Sequence, residues 1–295
     1  MLRAPDEHQV LERLVAWGEA LPSVRALILT SSRARDDGTA DMLSDYDVIV
    51  GVDDADAFVA SDAWASGYGE PLVRWGDRHE PYGTTTYFRG VIYSDHVRVD
   101  YSIWPAELLD RVAKEAELFE DLDVGYRVLL DKDGQTSSWQ PPTYQAHIPA
   151  RPTEAEYRAL VEEFWWDTTY VAKALSRGEI FFAKFMLDYD AKSVALRRVL
   201  EWRIELDHDW SLRPGAYGRG LEQHLPADLW SKLASTYVGT DTEENWSALF
   251  VAIALFRRVA TEVGAALGYA YPDRVDEGVT AYLAAVRQLS RPRGQ

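Results

Sequence analysis

A proline-rich segment divides this sequence into two halves with different hydrophobic periodicities. Residues 140–152 carry four of the thirteen prolines of the chain, and such stretches mark loops and domain boundaries. Strand-like apolar runs occur before this segment, whereas only helical spacing follows it. The sequence therefore predicts an α+β domain over residues 1–150, with a mixed sheet and flanking helices, and an all-helical domain over residues 151–295. We expect the active site in the cleft between these domains, because ligand sites favour domain interfaces.

The individual elements follow from apolar spacing, turn residues and helix caps. The predicted strands are Val24–Thr30, Tyr46–Val52, Thr84–Tyr93, His96–Trp104 and Tyr126–Leu130. The first half also has three predicted helices, over residues 6–20, from Asp54 to Trp64, and from Pro105 to about Glu117. In the second half, the predicted helices are residues 153–176, Ile180–Leu206, Asp228–Tyr237, Glu243–Leu267 and Asp273–Leu289, with a loop over Pro214–Gly220.

Two carboxylates open the second predicted strand. Asp45 and Asp47 are two residues apart, so on a strand they point to the same side of the sheet, with Tyr46 on the other side. Two carboxylates this close together repel each other unless a cation lies between them. Mg²⁺ binds one or two carboxylates together with substrate phosphates. The alternative interpretation is a strand that merely begins with turn-forming Asp residues.

A third carboxylate lies in the middle of the strand predicted over His96–Trp104. Asp100 is on the polar face of this strand, although Asp is disfavoured at such positions. If this strand pairs with the one that begins near Asp47, three carboxylates meet on one face and can hold two divalent ions for phosphoryl or nucleotidyl transfer. The alternative is a structural ion pair between Asp100 and Arg98 or another Arg.

Composition limits the classes of partner. The net charge of −17 disfavours nucleic-acid binding and favours metal ions and cationic small molecules. The chain has no Cys and its six His residues show no zinc-ligand spacing. No apolar run approaches the roughly 20 residues needed to span a bilayer, and no signal peptide is visible at the N-terminus. These features predict a cytoplasmic protein without a membrane partner, and we expect a monomer.

The motifs together resemble those of the aminoglycoside 6-adenylyltransferase (streptomycin adenylyltransferase) family of the nucleotidyltransferase superfamily. The family pattern of Gly-Ser-Arg, Asp, Asp-Tyr-Asp and Arg-Ile-Asp corresponds here to Ser31-Ser32-Arg33, Asp41, Asp45-Tyr46-Asp47 and Arg98-Val99-Asp100. The resemblance continues through Phe164–Lys173, Ala183–Asp188, Leu225–Trp230, Trp246–Phe250 and Thr280–Leu283. It therefore covers nearly the whole chain.

This resemblance implies transfer of AMP from ATP to a hydroxyl of a streptomycin-like aminoglycoside, which releases pyrophosphate and inactivates the antibiotic. Asp45 and Asp47 would hold two Mg²⁺ ions, with Asp100 as a ligand of the ion near the acceptor and as the candidate base. The turn at Ser31, with Ser32 and Arg33, would contact the phosphates, and Lys173 or Lys184 would reach them from the helical domain. For Lys184, a surface ion pair with Asp188 four residues later is the alternative.

A polar helix face is the candidate site for the cationic acceptor. On a helical wheel, Glu163, Trp166, Asp167, Tyr170 and Lys173 gather on one side, whereas Trp165 lies further round and is predicted to be core. Carboxylates and aromatic rings are the groups that bind guanidinium and ammonium groups. The pattern therefore predicts that Glu163, Trp166, Asp167 and Tyr170 bind the acceptor.

Ser31 is the one departure from the family pattern. A Gly at this turn lets the backbone approach the phosphates without a Cβ. Two alternatives therefore stay open beside the aminoglycoside enzyme. The first is a nucleotide-binding protein with impaired catalysis. The second is a nucleotidyltransferase that modifies another drug, such as a lincosamide, a metabolite or a protein side chain.

Overall fold

The described residues, 6–289, fall into two compact units in the computed structural model, one ending at Ala146 and the next beginning at His147. Unit 1 is a six-stranded sheet with helices, and unit 2 is helical. This mixed sheet followed by helices confirms the predicted α+β fold class. Among the described residues, no helix is both long and apolar enough to cross a bilayer.

The sheet of unit 1 has the strand order β3-β4-β5-β2-β1-β6. The strands are β1 (Val24–Thr30), β2 (Tyr46–Val52), β3 (Pro71–His79), β4 (Thr86–Tyr93), β5 (Arg98–Pro105) and β6 (Tyr126–Asp131). Only β2 and β5 are parallel neighbours; the other strand pairs are antiparallel. The unit also contains helices α1 (Glu7–Ala20), α2 (Ala55–Val59), α3 (Ala106–Val112) and α4 (Glu120–Asp123).

The two faces of this sheet are buried differently. On one face, α1 contributes Leu14 and Trp17 to a core that includes Val48 and Tyr101. On the other face, α3 packs over Ile49 and other residues toward the carboxyl ends of β2 and β5. At the amino-terminal ends of β2 and β5, the residues on the α3 face are polar. This end of the sheet is therefore available for a site.

Unit 2 is built around two long helices. Its helices are α5 (Glu154–Arg177), α6 (Ile180–Lys184), α7 (Arg197–Leu206), α8 (Leu221–His224), α9 (Ala227–Ala234), α10 (Thr242–Leu267) and α11 (Asp273–Leu289), with a π-helix over Phe185–Leu196 between α6 and α7. The predicted capping box opens α5 and Gly178 ends it in the left-handed conformation (φ 73°). Phe164 of α5 stacks on Phe256 of α10 with ring centroids 3.7 Å apart.

Several predicted elements need correction. The strand β3 was not predicted, and α3 ends at Val112, well before Glu117, with Pro105 as the last residue of β5. The helix predicted from Asp54 to Trp64 is the short α2 followed by a 3-10 segment over Asp62–Gly67. The helix predicted over Ile180–Leu206 is interrupted by the π-helix, which helical periodicity does not reveal.

Candidate active site

The three candidate carboxylates come together at the amino-terminal ends of the parallel strands. Asp45 precedes β2, and Asp47 lies directly beside Asp100 in the β2–β5 register. Tyr46 is buried in the core of the opposite face, as the alternation of a strand requires. The non-local pairing of β2 with β5 therefore places on one face two motifs that are more than fifty residues apart in sequence.

The carboxylates of this cluster are close enough to perturb one another. The pKa of Asp47 rises from its ordinary value of 3.8 to about 6, first because the group is buried and then because Asp100 and Asp45 repel its negative charge. A hydrogen bond from the Ser31 hydroxyl opposes this rise. A cation placed among the three groups would remove the repulsion.

Arg98 supplies the positive charge in this structure. Its Nε and Nη2 donate to the two oxygens of Asp100 over 3.0 and 2.8 Å, and its Nε lies 3.5 Å from Oδ2 of Asp45. The alternative predicted for Asp100, an ion pair with Arg98, is therefore present. These bonds raise the pKa of Arg98, so its guanidinium stays charged.

The carboxylate cluster has the donor chemistry of a magnesium site. As the side chains stand, no three His, Cys, Asp or Glu residues within 6–289 are arranged to hold a metal ion. However, the cluster offers only carboxylate oxygens, which are the ligands that Mg²⁺ prefers, and the repulsion at Asp47 calls for a cation. The guanidinium of Arg98, whose side chain is 47% exposed, lies beside two of these carboxylates.

The turn after β1 brings Ser31 to the edge of this cluster. Ser31 has a φ of 62°, in the left-handed region that favours glycine, and its N–H donates to the carbonyl of Gly125 over 3.1 Å. The chain thus keeps the backbone conformation suited to the family Gly while adding a hydroxyl that bonds to Asp47. Ser32, the next residue of the same turn, is partly exposed.

Arg33 is engaged with the protein itself. Its guanidinium donates to the Ser44 carbonyl over 3.0 and 2.7 Å and to the Asp41 carbonyl over 3.0 Å. It also pairs with Glu7 over 3.0 Å and lies 4.1 Å from the centroid of the Tyr46 ring. Because its side chain is only 9% exposed, Arg33 holds the loop that leads into Asp45. Direct contact between Arg33 and a phosphate stays a prediction.

The polar helix face predicted to bind the acceptor lies on α5 of unit 2, and acceptor binding there stays a prediction. Glu163 is exposed, Trp166 is 63% exposed, and the Trp166 and Tyr170 rings meet edge to face with centroids 5.8 Å apart. Burial, together with repulsion from Asp190 and Glu163, raises the pKa of Asp167 to about 6. These four residues therefore form one acidic and aromatic surface. The prediction for Trp165 is correct, since it is fully buried.

The two candidate lysines of unit 2 have different surroundings. The Lys173 ammonium lies 4.2 Å from the centroid of the Tyr170 ring, beside the acceptor face. The Lys184 ammonium instead pairs with Asp188 over 2.7 Å and donates to the Val238 carbonyl over 2.8 Å. The buried Lys192 binds the other oxygen of Asp188. The ion-pair alternative for Lys184 is therefore the observed arrangement.

Three residues near Asp100 were not identified from the sequence. Gly90 of β4 is the direct neighbour of Asp100, Trp75 of the unpredicted β3 is the neighbour of Gly90, and Phe88 contacts Trp75 with ring centroids 5.6 Å apart. The only sequence signal for this strand was that Val73, Trp75, Asp77 and His79 occupy every second position, with Arg or Gly between them.

Three carboxylates on a parallel strand pair, next to a Ser-Ser-Arg turn that follows the neighbouring strand, define this protein as a nucleotidyltransferase. The model of the streptomycin adenylyltransferase family matches residues 5–286. The chain therefore belongs to that family.

Individual relatives are similar along most of their length. An aminoglycoside 6-adenylyltransferase from Campylobacter jejuni is 28% identical over 288 residues, which cover 97% of this chain and 96% of the relative. One from Bacillus subtilis (strain 168) is 29% identical over 267 residues, covering 89% and 91%. The crystal structure of an aminoglycoside 6-adenyltransferase from Bacillus subtilis is 26% identical, covers 96% of this chain and 99% of that chain, and has a TM-score of 0.47.

Proposed function

We propose that this protein transfers the AMP group of ATP to a hydroxyl of a streptomycin-like aminoglycoside, and thereby inactivates the antibiotic. The observation that carries this proposal is the convergence of Asp45, Asp47 and Asp100 at one end of the parallel strand pair. Membership of the streptomycin adenylyltransferase family supports the reaction class. The names of the relatives support an aminoglycoside as the acceptor.

In this reaction the acceptor hydroxyl oxygen bonds to the α-phosphorus of ATP as the bond from that phosphorus to the pyrophosphate oxygen breaks. Asp100 takes the hydroxyl proton, and Arg98 fixes its carboxylate by a two-pronged hydrogen bond. Asp45, Asp47 and Asp100 would hold Mg²⁺, for which we propose two ions. When bound, Mg²⁺ neutralises the triphosphate and lowers the pKa of the acceptor hydroxyl.

The nucleotide phosphates bind at the turn after β1. Ser32 donates its hydroxyl and N–H to them, and the turn conformation of Ser31 keeps these donors beside Asp47. Arg33 contributes by holding the loop that leads to Asp45, with a direct phosphate contact as its second role. Between the two lysines, Lys173 is the better candidate for a phosphate contact, because Asp188 and a carbonyl already bind Lys184.

The acceptor binds the α5 face through opposite charge and aromatic contact. Glu163 and Asp167 attract guanidinium or ammonium groups, and the exposed ring of Trp166 offers a surface for a cation or a sugar ring. Burial, and then repulsion from Asp190 and Glu163, make Asp167 costly to ionise when no cation is bound. A cationic acceptor therefore relieves this repulsion on binding.

An alternative function is nucleotide binding without efficient transfer, and the left-handed backbone of Ser31 is the observation that favours it. A non-glycine residue in this conformation costs about 1–2 kcal/mol, and its Cβ lies where the phosphates would approach. The two functions differ in whether pyrophosphate is released.

The test is an assay of pyrophosphate release from labelled ATP with Mg²⁺ and a panel of antibiotics. Pyrophosphate release only with an aminoglycoside supports the proposal. Release with a lincosamide or another compound would mean that this compound, and not an aminoglycoside, is the acceptor. ATP binding without release supports the alternative function. Asp47→Ala should lower turnover by at least about a hundredfold, whereas Asp53→Ala, which removes an exposed acid at the other end of β2, should not. Unchanged turnover in Asp47→Ala would end the proposed mechanism.

A further inference from the structure

We infer that the acceptor ring bearing the reacting hydroxyl binds on unit 1, against an aromatic pair formed by Trp75 and Phe88 that reaches Asp100 across Gly90. This inference rests on the proposed function and concerns unit 1 alone. Its basis is the order of side chains across the sheet, together with a cavity lined by Phe88 and Ser102.

One row of residues crosses four strands on the carboxylate face. Asp47 of β2 pairs with Asp100 of β5, Asp100 pairs with Gly90 of β4, and Gly90 pairs with Trp75 of β3. Adjacent strands are about 4.8 Å apart, so Trp75 lies about 10 Å from Asp100 across a position that has no side chain. The ring of Phe88 and the carboxylate of Asp100 both reach over that position.

Gly90 lets the Asp100 carboxylate and the Phe88 ring approach each other. Its backbone has no positive φ, so the conformation does not require glycine. A Cβ at this position would lie 3.2 Å from Oδ1 of Asp100 and 3.2 Å from the Phe88 ring. The absence of a side chain therefore lets the acid and the aromatic ring share one space.

The aromatic pair has the exposure expected of a binding surface. Trp75 is 63% exposed and its ring centroid is 5.6 Å from that of Phe88. Exposed aromatic faces stack on the apolar faces of sugar rings and attract cations. Trp75 and Phe88 therefore suit a ring that carries both hydroxyl and cationic groups.

A cavity of about 460 Å³ extends this surface along β4 and β5. It shares Phe88 with the aromatic pair and includes Ser102, which is two residues, or roughly 6.6 Å, along β5 from Asp100. Thr86 and Asp121 add a hydroxyl and a carboxylate, and none of the described residues that line the cavity is Lys or Arg. This lining suits a hydroxylated cation better than a phosphate.

The proposed nucleotide site lies on the other side of the carboxylates. Ser31 and Ser32 follow β1, which flanks β2 on the side away from β5. An in-line displacement needs the acceptor opposite the pyrophosphate. With the phosphates at the β1 side, the acceptor belongs at the β4 side, where Gly90 and the cavity lie.

Steady-state kinetics of the full chain with ATP, Mg²⁺ and streptomycin test this inference. Trp75→Ala should raise the KM for streptomycin about three- to tenfold while kcat and the KM for ATP stay within twofold. Gly90→Ala should raise the same KM, because its Cβ would displace the Phe88 ring from its place beside Asp100. Tyr217→Ala removes an aromatic side chain that is 87% exposed in unit 2 and should match the wild type.

The outcomes separate this inference from the proposed function. If the wild type transfers AMP to streptomycin but both Trp75→Ala and Gly90→Ala behave like Tyr217→Ala, the subsite is wrong and the proposed function stands. A rise in the KM for ATP alone would place the adenine base on Trp75 and also overturn the inference. If the wild type transfers AMP to no aminoglycoside, the proposed function is wrong and the inference fails with it.

Discussion

Replacing Arg33 by Ala should destabilise unit 1 as well as reduce catalysis. The change removes three hydrogen bonds to the carbonyls of Ser44 and Asp41, an ion pair with Glu7, and a contact with the Tyr46 ring. Hydrogen bonds from a charged group contribute about 1.5–3 kcal/mol each, and cation–π contacts about 0.5–2 kcal/mol. Because these terms are not additive, we expect a loss of about 2–4 kcal/mol in the free energy of unfolding.

Scanning calorimetry measures this loss as a shift of the unfolding transition of unit 1. A loss of this size lowers the midpoint by on the order of 10 °C for a unit of this length. Arg33→Lys should lie between Ala and the wild type, because an ammonium keeps the charge but cannot bridge two carbonyls. Arg158→Ala, which removes a cation that is 68% exposed in unit 2, is the control and should not shift the midpoint.

The same variants decide between the two roles of Arg33. A residue that only touched the phosphates would raise the KM for ATP and leave the midpoint unchanged. A residue that positions Asp45 lowers the midpoint and kcat together, and the conservative Lys variant recovers part of both. An Arg33→Ala protein that melts within 1 °C of the wild type would refute the positioning role.

Three further changes give distinct expectations. Ser31→Gly should raise the free energy of unfolding by about 0.5–1 kcal/mol, measured in urea, because it relieves a left-handed φ but loses the bond to Asp47. Lys173→Ala should weaken ATP binding in calorimetry, whereas Lys184→Ala should lower stability and leave ATP affinity unchanged. Since the pKa of Asp167 rises from 3.8 to about 6 on folding, the unfolded chain holds fewer protons at this group in that window and stability falls as pH rises through it. Asp167→Asn should remove the contribution of this group to the slope, while that of Asp47 stays, and should add about 1 kcal/mol at pH 7 after solvent screening. An unchanged slope would contradict the assignment.

The elements that the sequence predicts correctly are those with buried faces or local signals. The strand β2 has apolar residues on both faces beyond Asp47, and β5 alternates strictly, so both were visible in the residue pattern. The capping box at Thr153 and the glycine at 178 fixed both ends of α5. The clustering of Asp47 with Asp100 depends on the pairing of β2 with β5, which the sequence alone did not establish.

The strand β3 escaped prediction because little of it is buried. It is the edge of the sheet, and beyond Pro71 every residue is exposed. Burial is what imposes an alternating apolar pattern, so an edge strand with two solvated faces lacks the signal by which strands are identified. For the same reason the residue that completes the proposed acceptor subsite, Trp75, looks in the sequence like any other core aromatic.

The Ser-Ser-Arg motif shows a different limit of sequence patterns, because a motif gives residue types but not the atoms they contact. Arg33 binds backbone carbonyls eight and eleven residues further along, and those carbonyls can come from any residue type. The path of the intervening loop alone brings them to the guanidinium. A backbone target therefore leaves no trace in the side-chain pattern, and the positioning role of Arg33 became visible only with the path of the loop. We therefore expect motif residues with backbone partners to place the carboxylates, and Ser32, which is partly exposed, to be available to a nucleotide.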